Sequence, residues 1–357
     1  MRVRGQVGRL FLALLFGLGW AAVPAPAKVV TVMTANLPCG GWPNEFYYPQ
    51  SSRIFRGLKP DIAFIQEFNV PAPLSHRDYV DEAFGENFHL YVGSGSIPNA
   101  IVSRWSLQTW GEWPDPEVAG SRSYVWAVID IPGEPDLQGV CVHLKSSSGP
   151  SNRSMRLREA AAVRDHVRRN FDPDGYIVVA GDLNTYPSPA EPCLNIFRSF
   201  LSTDRHKPAD RLGHYFTNAT NPRRYQYDWI MPNRNLDQYH TTLYVGAKDR
   251  AYPQGIVFDS RVFWDVSEVP PIEENDSYPG GVHHMAVMKA FDLPIPATPV
   301  STPTPVPTPS AAPTAPPSPS PSPPPTATPT VSPSPLPLPD VSELFWFGTF
   351  PREATSR

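Results

Sequence analysis

The chain has 357 residues, of which 41% are hydrophobic and 18% charged, and its formal net charge is −4. A mildly acidic balance excludes a sequence-independent coat for nucleic acid, which rests on dense Lys and Arg. The length allows a sizeable buried core.

The first residues carry Arg2, Arg4 and Arg9, followed by an apolar run over 10–20. That run is shorter than the ~20 residues that span a bilayer. With Ala25-Pro26-Ala27 behind it, the pattern is that of a secretory signal peptide, 1–27, cleaved after Ala27. An uncleaved anchor is the alternative. Cleavage would bring the net charge to −7, and the expected location is secreted or at the cell surface.

Residues 28–37 form a β-branched apolar run ending at Asn36, which predicts a buried strand. Residues 51–59 predict a short helix, with a Ser start and Pro60 just beyond. Residues 61–68 predict a second buried strand carrying Glu67 at its end. Strands follow over 99–107, 123–131 and 137–145, the last with His143 near its end. Residues 153–170 lack any breaker and predict a helix whose arginines form a solvated face. The stretch "YIVVAGDLN" (176–184) is a strand running into Asp182 and Asn184. Strands over 225–232, 255–263 and 283–293 complete the set, bringing Asp228, His283 and His284.

From 294 to 339 the chain holds 20 prolines and no charged residue, which predicts a disordered, semi-stiff linker over 296–340. The aromatic tail, 341–357, is too short to fold alone and is a candidate tether to a cell surface. The globular domain is therefore 28–295, and a monomer is expected.

Asn36, Glu67, His143, Asp182, Asn184, Asp228 and His284 all sit at strand ends, where ligands bind in α/β folds. Oxygen-rich donors without a cysteine cluster suit a hard cation: Mg²⁺, or Mn²⁺ or Ca²⁺. Histidines add groups that donate to phosphate or move protons near neutral pH. Each signal alone is weak. "GDLN" by itself is more often a turn, and His143 by itself a core histidine. The order of six such signals is what carries weight.

The motifs "TANL", "IQEF", "VHLKSS", "AGDLN", "YDWI" and "HHMAV" fall in that order over 28–293. In this the chain resembles the endonuclease/exonuclease/phosphatase superfamily, the DNase I-like fold. The resemblance implies an α/β fold of two packed, mainly antiparallel β-sheets flanked by helices, a four-layer sandwich. It implies a metal-dependent hydrolase of phosphoester bonds, with Asn36 and Glu67 holding the metal. Asp182 and Asn184 would stand at the reacting phosphate, with His143 and His284 as the two histidines and Asp228 orienting His284. The family's final motif has an Asp where this chain has His283, so His283 is the candidate for that metal position, with Asp276 a weaker substitute. The substrate would be a phosphoester: DNA, RNA or a phospholipid headgroup. The alternatives to a nuclease are a sphingomyelinase-like or inositol phosphate phosphoesterase, and a non-catalytic surface-displayed binding module.

Of the three cysteines, Cys141 lies in an apolar strand and reads as a buried thiol. Cys39 and Cys193 lie in loops after Asn36 and Asn184, and would pair if those loops meet at one site.

Overall fold

The computed structural model describes residues 27–37, 49–70, 72–118, 120–186, 191–220, 222–278 and 282–294. The expected leader up to residue 26, the Pro-rich linker, the C-terminal tail and Cys39 lie outside these residues. The first strand begins at Ala27 and the last ends at Pro294.

In chain order the elements are β1 (Ala27–Asn36), α1 (Pro49–Leu58), β2 (Ile62–Gln66), α2 (His76–Ala83), β3 (His89–Val92) and β4 (Ala100–Ser103). There follow β5 (Leu107–Pro114), β6 (Ser123–Ile129), β7 (Leu137–His143), α3 (Pro150–Asn170), β8 (Tyr176–Asp182), α4 (Cys193–Arg198) and β9 (Asp228–Pro232). The remainder are α5 (Arg234–Asp237), β10 (His240–Thr241), β11 (Leu243–Val245), β12 (Arg250–Tyr252), β13 (Ile256–Phe258) and β14 (Ala286–Pro294).

Two sheets result. The first runs β10-β14-β1-β2-β4-β3, with β13 also on β14; the second runs β5-β6-β7-β8-β9. Each has one parallel pair at its centre, β1 with β2 and β7 with β8, and every other pairing is antiparallel. Alternation along the strands separates the layers. Val178 and Ala180 of β8 join the core between the sheets, while Ile177 and Val179 pack outward with Val163, Val167, Leu194 and Phe197 of α3 and α4. On the first sheet, α1 and α2 cover the outer face through Ile54, Phe55, Tyr79 and Val80. This is the expected order of helices, sheet, sheet and helices.

The sequence reading missed α2, although Ser75 and Asp78 form a reciprocal capping box at its start. It also merged β4 with the start of β5 and passed over β3, β10, β11 and β12. These strands are short or partly exposed, and their apolar pattern is weak.

Two further expectations are corrected. The face of α3 is not wholly solvated: the Arg156 side chain is fully buried, bonded to Glu191 Oε1 at 2.9 Å and to the carbonyls of Lys145 and Ser147. Cys193 is not in a loop; it opens α4 as a free, fully buried thiol in the outer core. Cys141 is buried as expected, and accepts from Gln66 Nε2 at 3.1 Å while donating to the Ile65 carbonyl.

Candidate active site

Parallel central pairs bring the C-terminal ends of β1, β2, β7 and β8 to one edge. β9 and β14 run antiparallel to them, so their starts reach the same edge. That places Asn36 across from Gln66, His143 across from Asp182, and Asp182 across from Asp228. Glu67 follows β2 directly, and His284 stands two residues before β14.

The backbone here is specialised in both sheets. Glu67 and Asn184 hold positive φ angles of 55° and 48°, a region costly for side chains other than Gly. Gly181, one residue before Asp182, has φ +148°, and a Cβ there would come within 1.9 Å of the Val142 carbonyl oxygen. Only glycine lets β8 lie this close to β7 while delivering Asp182 to the edge.

Asp182 is the hub. Its Oδ2 accepts from Asn36 Nδ2 and from Asn184 Nδ2, both at 3.0 Å. His143 Nε2 is 3.4 Å from the same oxygen and His284 Nδ1 is 3.8 Å from it. Asp182 Oδ1 accepts from the Asn184 amide at 2.7 Å. Asn36 Nδ2 also reaches Glu67 Oε1 at 3.2 Å, so one amide joins the acids of the two sheets. Asn184 Nδ2 also donates to the Leu144 carbonyl at 3.1 Å. Its amide is engaged in holding Asp182 and the loop after β7.

His284 Nδ1 lies 2.9 Å from Asp228 Oδ2. Burial opposes the charge on His284, but Asp228 and then Asp182 outweigh it and push its pKa up to about 9. Burial raises Asp182 to about 7, helped by Asp228 and Glu67 and opposed by His284. His143 goes the other way: burial first, then Arg122, His284 and Lys145, hold it well below the usual histidine range. At neutral pH the site holds one imidazolium and one neutral imidazole.

The donors fit a hard divalent cation. Asn36 Oδ1 is buried without a hydrogen-bond partner among the described residues, and the Glu67 carboxylate beside it is 19% exposed at the mouth. A buried amide oxygen lacking a partner is costly unless something else accepts it, and a cation does so. Asp182, Asp228 and His284 also offer ligand atoms within 4.8 Å of one another. There, however, Nδ1 of a protonated His284 carries a proton, so the oxygen side at Asn36 and Glu67 is the better fit.

Six of the residues singled out in the sequence thus contact one another around Asp182, and Asp228 joins through His284. His283 does not join them: its side chain is exposed, and its carbonyl accepts from the Ala219 amide. Asp276 is buried and taken by Arg53, whose Nε is 3.0 Å away. Arg223 is likewise engaged, with Asp210, Asp259 and the Phe216 carbonyl. The sequence reading missed three tyrosines, Tyr186, Tyr225 and Tyr227, whose rings meet beside His284. Their signal was adjacency, since Tyr186 follows Asn184 by two and Tyr227 precedes Asp228.

Two sheets that deliver acids, amides and imidazoles to one edge define a metal-dependent hydrolase of phosphoester bonds. The model of the Endonuclease/Exonuclease/phosphatase family matches residues 33–253, and the chain belongs to this family. The match spans Asn36 to Asp228 and stops before His284, which the fold returns to the site just ahead of β14. Among solved structures the chain is similar to an endonuclease/exonuclease/phosphatase from Beutenbergia cavernae, at 17% identity and TM-score 0.52, covering 74% of this chain and 72% of that one. It is also similar to an AP endonuclease from Archaeoglobus fulgidus, at 14% identity and TM-score 0.51, covering 74% and 100%. A functionally unknown protein from Enterococcus faecalis is similar at 11% identity and TM-score 0.52, covering 74% and 100%. At these identities the likeness is one of fold. No curated protein matches the chain.

Proposed function

We propose that this is a secreted or surface-held Mg²⁺-dependent phosphodiesterase of nuclease type. The observation that carries the proposal is the Asp182 carboxylate, with two amides and two imidazoles of opposite charge state around one oxygen. Secretion rests on the basic and apolar leader.

Asn36 and Glu67 would hold the cation, which when bound neutralises phosphate charge and polarises the P–O bond. Asp182, raised toward neutrality by burial, takes the proton of the attacking water. Asn36 and Asn184 fix its carboxylate, so the base is positioned before substrate arrives. The protonated His284, set by Asp228, donates to a phosphoryl oxygen as charge builds there. Neutral His143 offers a further hydrogen bond from the second sheet. Water then attacks phosphorus in line, the P–O bond opposite it breaks, and the leaving oxygen takes a proton from solvent. His283 is not required for these roles.

The test is a plasmid-nicking assay with Mg²⁺ run beside a sphingomyelin hydrolysis assay, both on the full chain. Nicking with no sphingomyelin turnover supports the nuclease-type reading. Sphingomyelin turnover alone moves the substrate to the lipid branch of the same chemistry.

A further inference from the structure

We propose that Tyr186, Tyr225 and Tyr227 form a stacking platform for the nucleobase next to the scissile phosphate. This rests on the phosphodiesterase reading above and names its substrate class as base-bearing, unpaired nucleic acid.

The position is the first argument. The Tyr227 ring centroid lies 5.0 Å from that of His284, so the platform begins where the phosphate chemistry ends. Tyr227 is 4.9 Å from Tyr186 and 5.5 Å from Tyr225, and Tyr186 is 5.2 Å from Tyr225. The Tyr225 and Tyr227 planes differ by only 9°.

Rigidity is the second. The Tyr186 amide donates to buried Glu191 at 2.8 Å, which the fully buried Arg156 holds in turn. The Tyr225 amide donates to Asn218 Oδ1 at 2.8 Å, and the Tyr227 amide to Thr217 Oγ1 at 2.9 Å. Tyr227 is buried, while Tyr186 and Tyr225 stay half-buried. A platform set before binding loses little on ordering.

Charge decides between occupants. An aromatic box for a quaternary ammonium headgroup needs ring faces that meet no other cation. Here the Arg156 guanidinium already lies 5.7 Å over the Tyr186 ring, and Arg153, 45% exposed, bonds the Tyr186 carbonyl. Exposed Arg224 adjoins Tyr225. Arg153 and Arg156 share the single carboxylate of Glu191, so with Arg224 these groups keep a net positive charge, which disfavours a choline cation and favours the phosphates on either side of a stacked base.

The test compares a 5′-labelled, single-stranded oligothymidylate with an abasic oligonucleotide of the same length, using the full chain with Mg²⁺. The two share every phosphodiester and differ in the base alone. The expected kcat/KM ratio favours the base-bearing strand by about tenfold or more, carried mainly by KM. Tyr225→Ala should bring that ratio near one, and Tyr225→Phe should retain it. The platform is overturned if both strands are cleaved equally by the native chain, or if Tyr225→Ala slows both alike and leaves the ratio intact; the phosphodiesterase reading survives either result. Hydrolysis of sphingomyelin with neither strand cleaved overturns the platform and the nuclease-type reading together.

Discussion

His284 Nδ1 stands 2.9 Å from Asp228 Oδ2, which links β9 of the second sheet to the residues leading into β14 of the first. The two sheets are therefore joined by this ion pair at the edge where the site lies. Asp228 is the main reason that a buried imidazole stays protonated at neutral pH. Replacing Asp228 with Asn keeps the shape and removes the charge. Burial then dominates, and the His284 pKa falls below its native value of about 9. The expected result is a loss of roughly 10²–10⁴-fold in kcat at pH 8, with the basic limb of the pH–rate profile moved to lower pH. Steady-state kinetics on a chromogenic phosphodiester across pH measures both.

The native pH profile follows from the same two shifts. Asp182 has a raised pKa of about 7, so the base is lost by protonation as pH falls through that value. His284 has a raised pKa of about 9, so the cation is lost by deprotonation as pH rises through it. A bell-shaped kcat/KM profile with its maximum between these limbs is expected. Raising the Mg²⁺ concentration should move the acid limb downward, because a nearby cation favours the ionised carboxylate. A flat profile from pH 6 to 9 would contradict these assignments.

Gly181→Ala tests how the site is delivered. The added Cβ meets the Val142 carbonyl at 1.9 Å and the backbone at φ +148° resists any side chain. The expected cost is about 3 kcal/mol or more, read as a large drop in Tm. Gly213→Ala serves as the control: its φ is +85° but its Cβ meets nothing within 4 Å, so it should cost much less.

The buried Arg156–Glu191 pair supports both the loop after β7 and Tyr186. Arg156→Met removes the buried partner of Glu191 and leaves it the longer contact to exposed Arg153 at 3.7 Å, and should destabilise by about 3 kcal/mol. The double variant Arg156→Met/Glu191→Gln should recover part of that loss. Chemical denaturation of the native chain and the two variants checks the ordering.

Burial pushes the thiols of Cys141 and Cys193 up to about 12. Neither should react with iodoacetamide at pH 8 in the folded chain, and both should react in denaturant. Peptide mapping by mass spectrometry distinguishes them. Protection of Cys193 that requires oxidised Cys39 would restore the pairing considered from the sequence.

Much of the fold was legible because buried strands write long apolar runs, and here those runs end in polar residues. Asn36, Glu67, His143, Asp182, Asn184, Asp228 and His284 stood out by that contrast, and all meet in space. His283 also stood out, but adjacency to His284 does not set direction, and its side chain faces solvent. The tyrosines were invisible as a group because Tyr186 and Tyr225 come together only when β8 and β9 pair. Arg156 looked like any helical arginine, since its partner Glu191 lies 35 residues away. Short strands such as β10 and β11 take their form from neighbours rather than from their own pattern.

The central claim is that Asn36 and Glu67 hold a cation beside the Asp182 base. Mg²⁺-dependent hydrolysis of bis(p-nitrophenyl) phosphate by the full chain, compared with Glu67→Ala and His284→Ala, tests it most directly. The account predicts activity abolished by chelator, restored by Mg²⁺, and lowered by roughly 10²-fold or more in each variant. Activity that survives the chelator, or that stays at the native level in both variants, would contradict it.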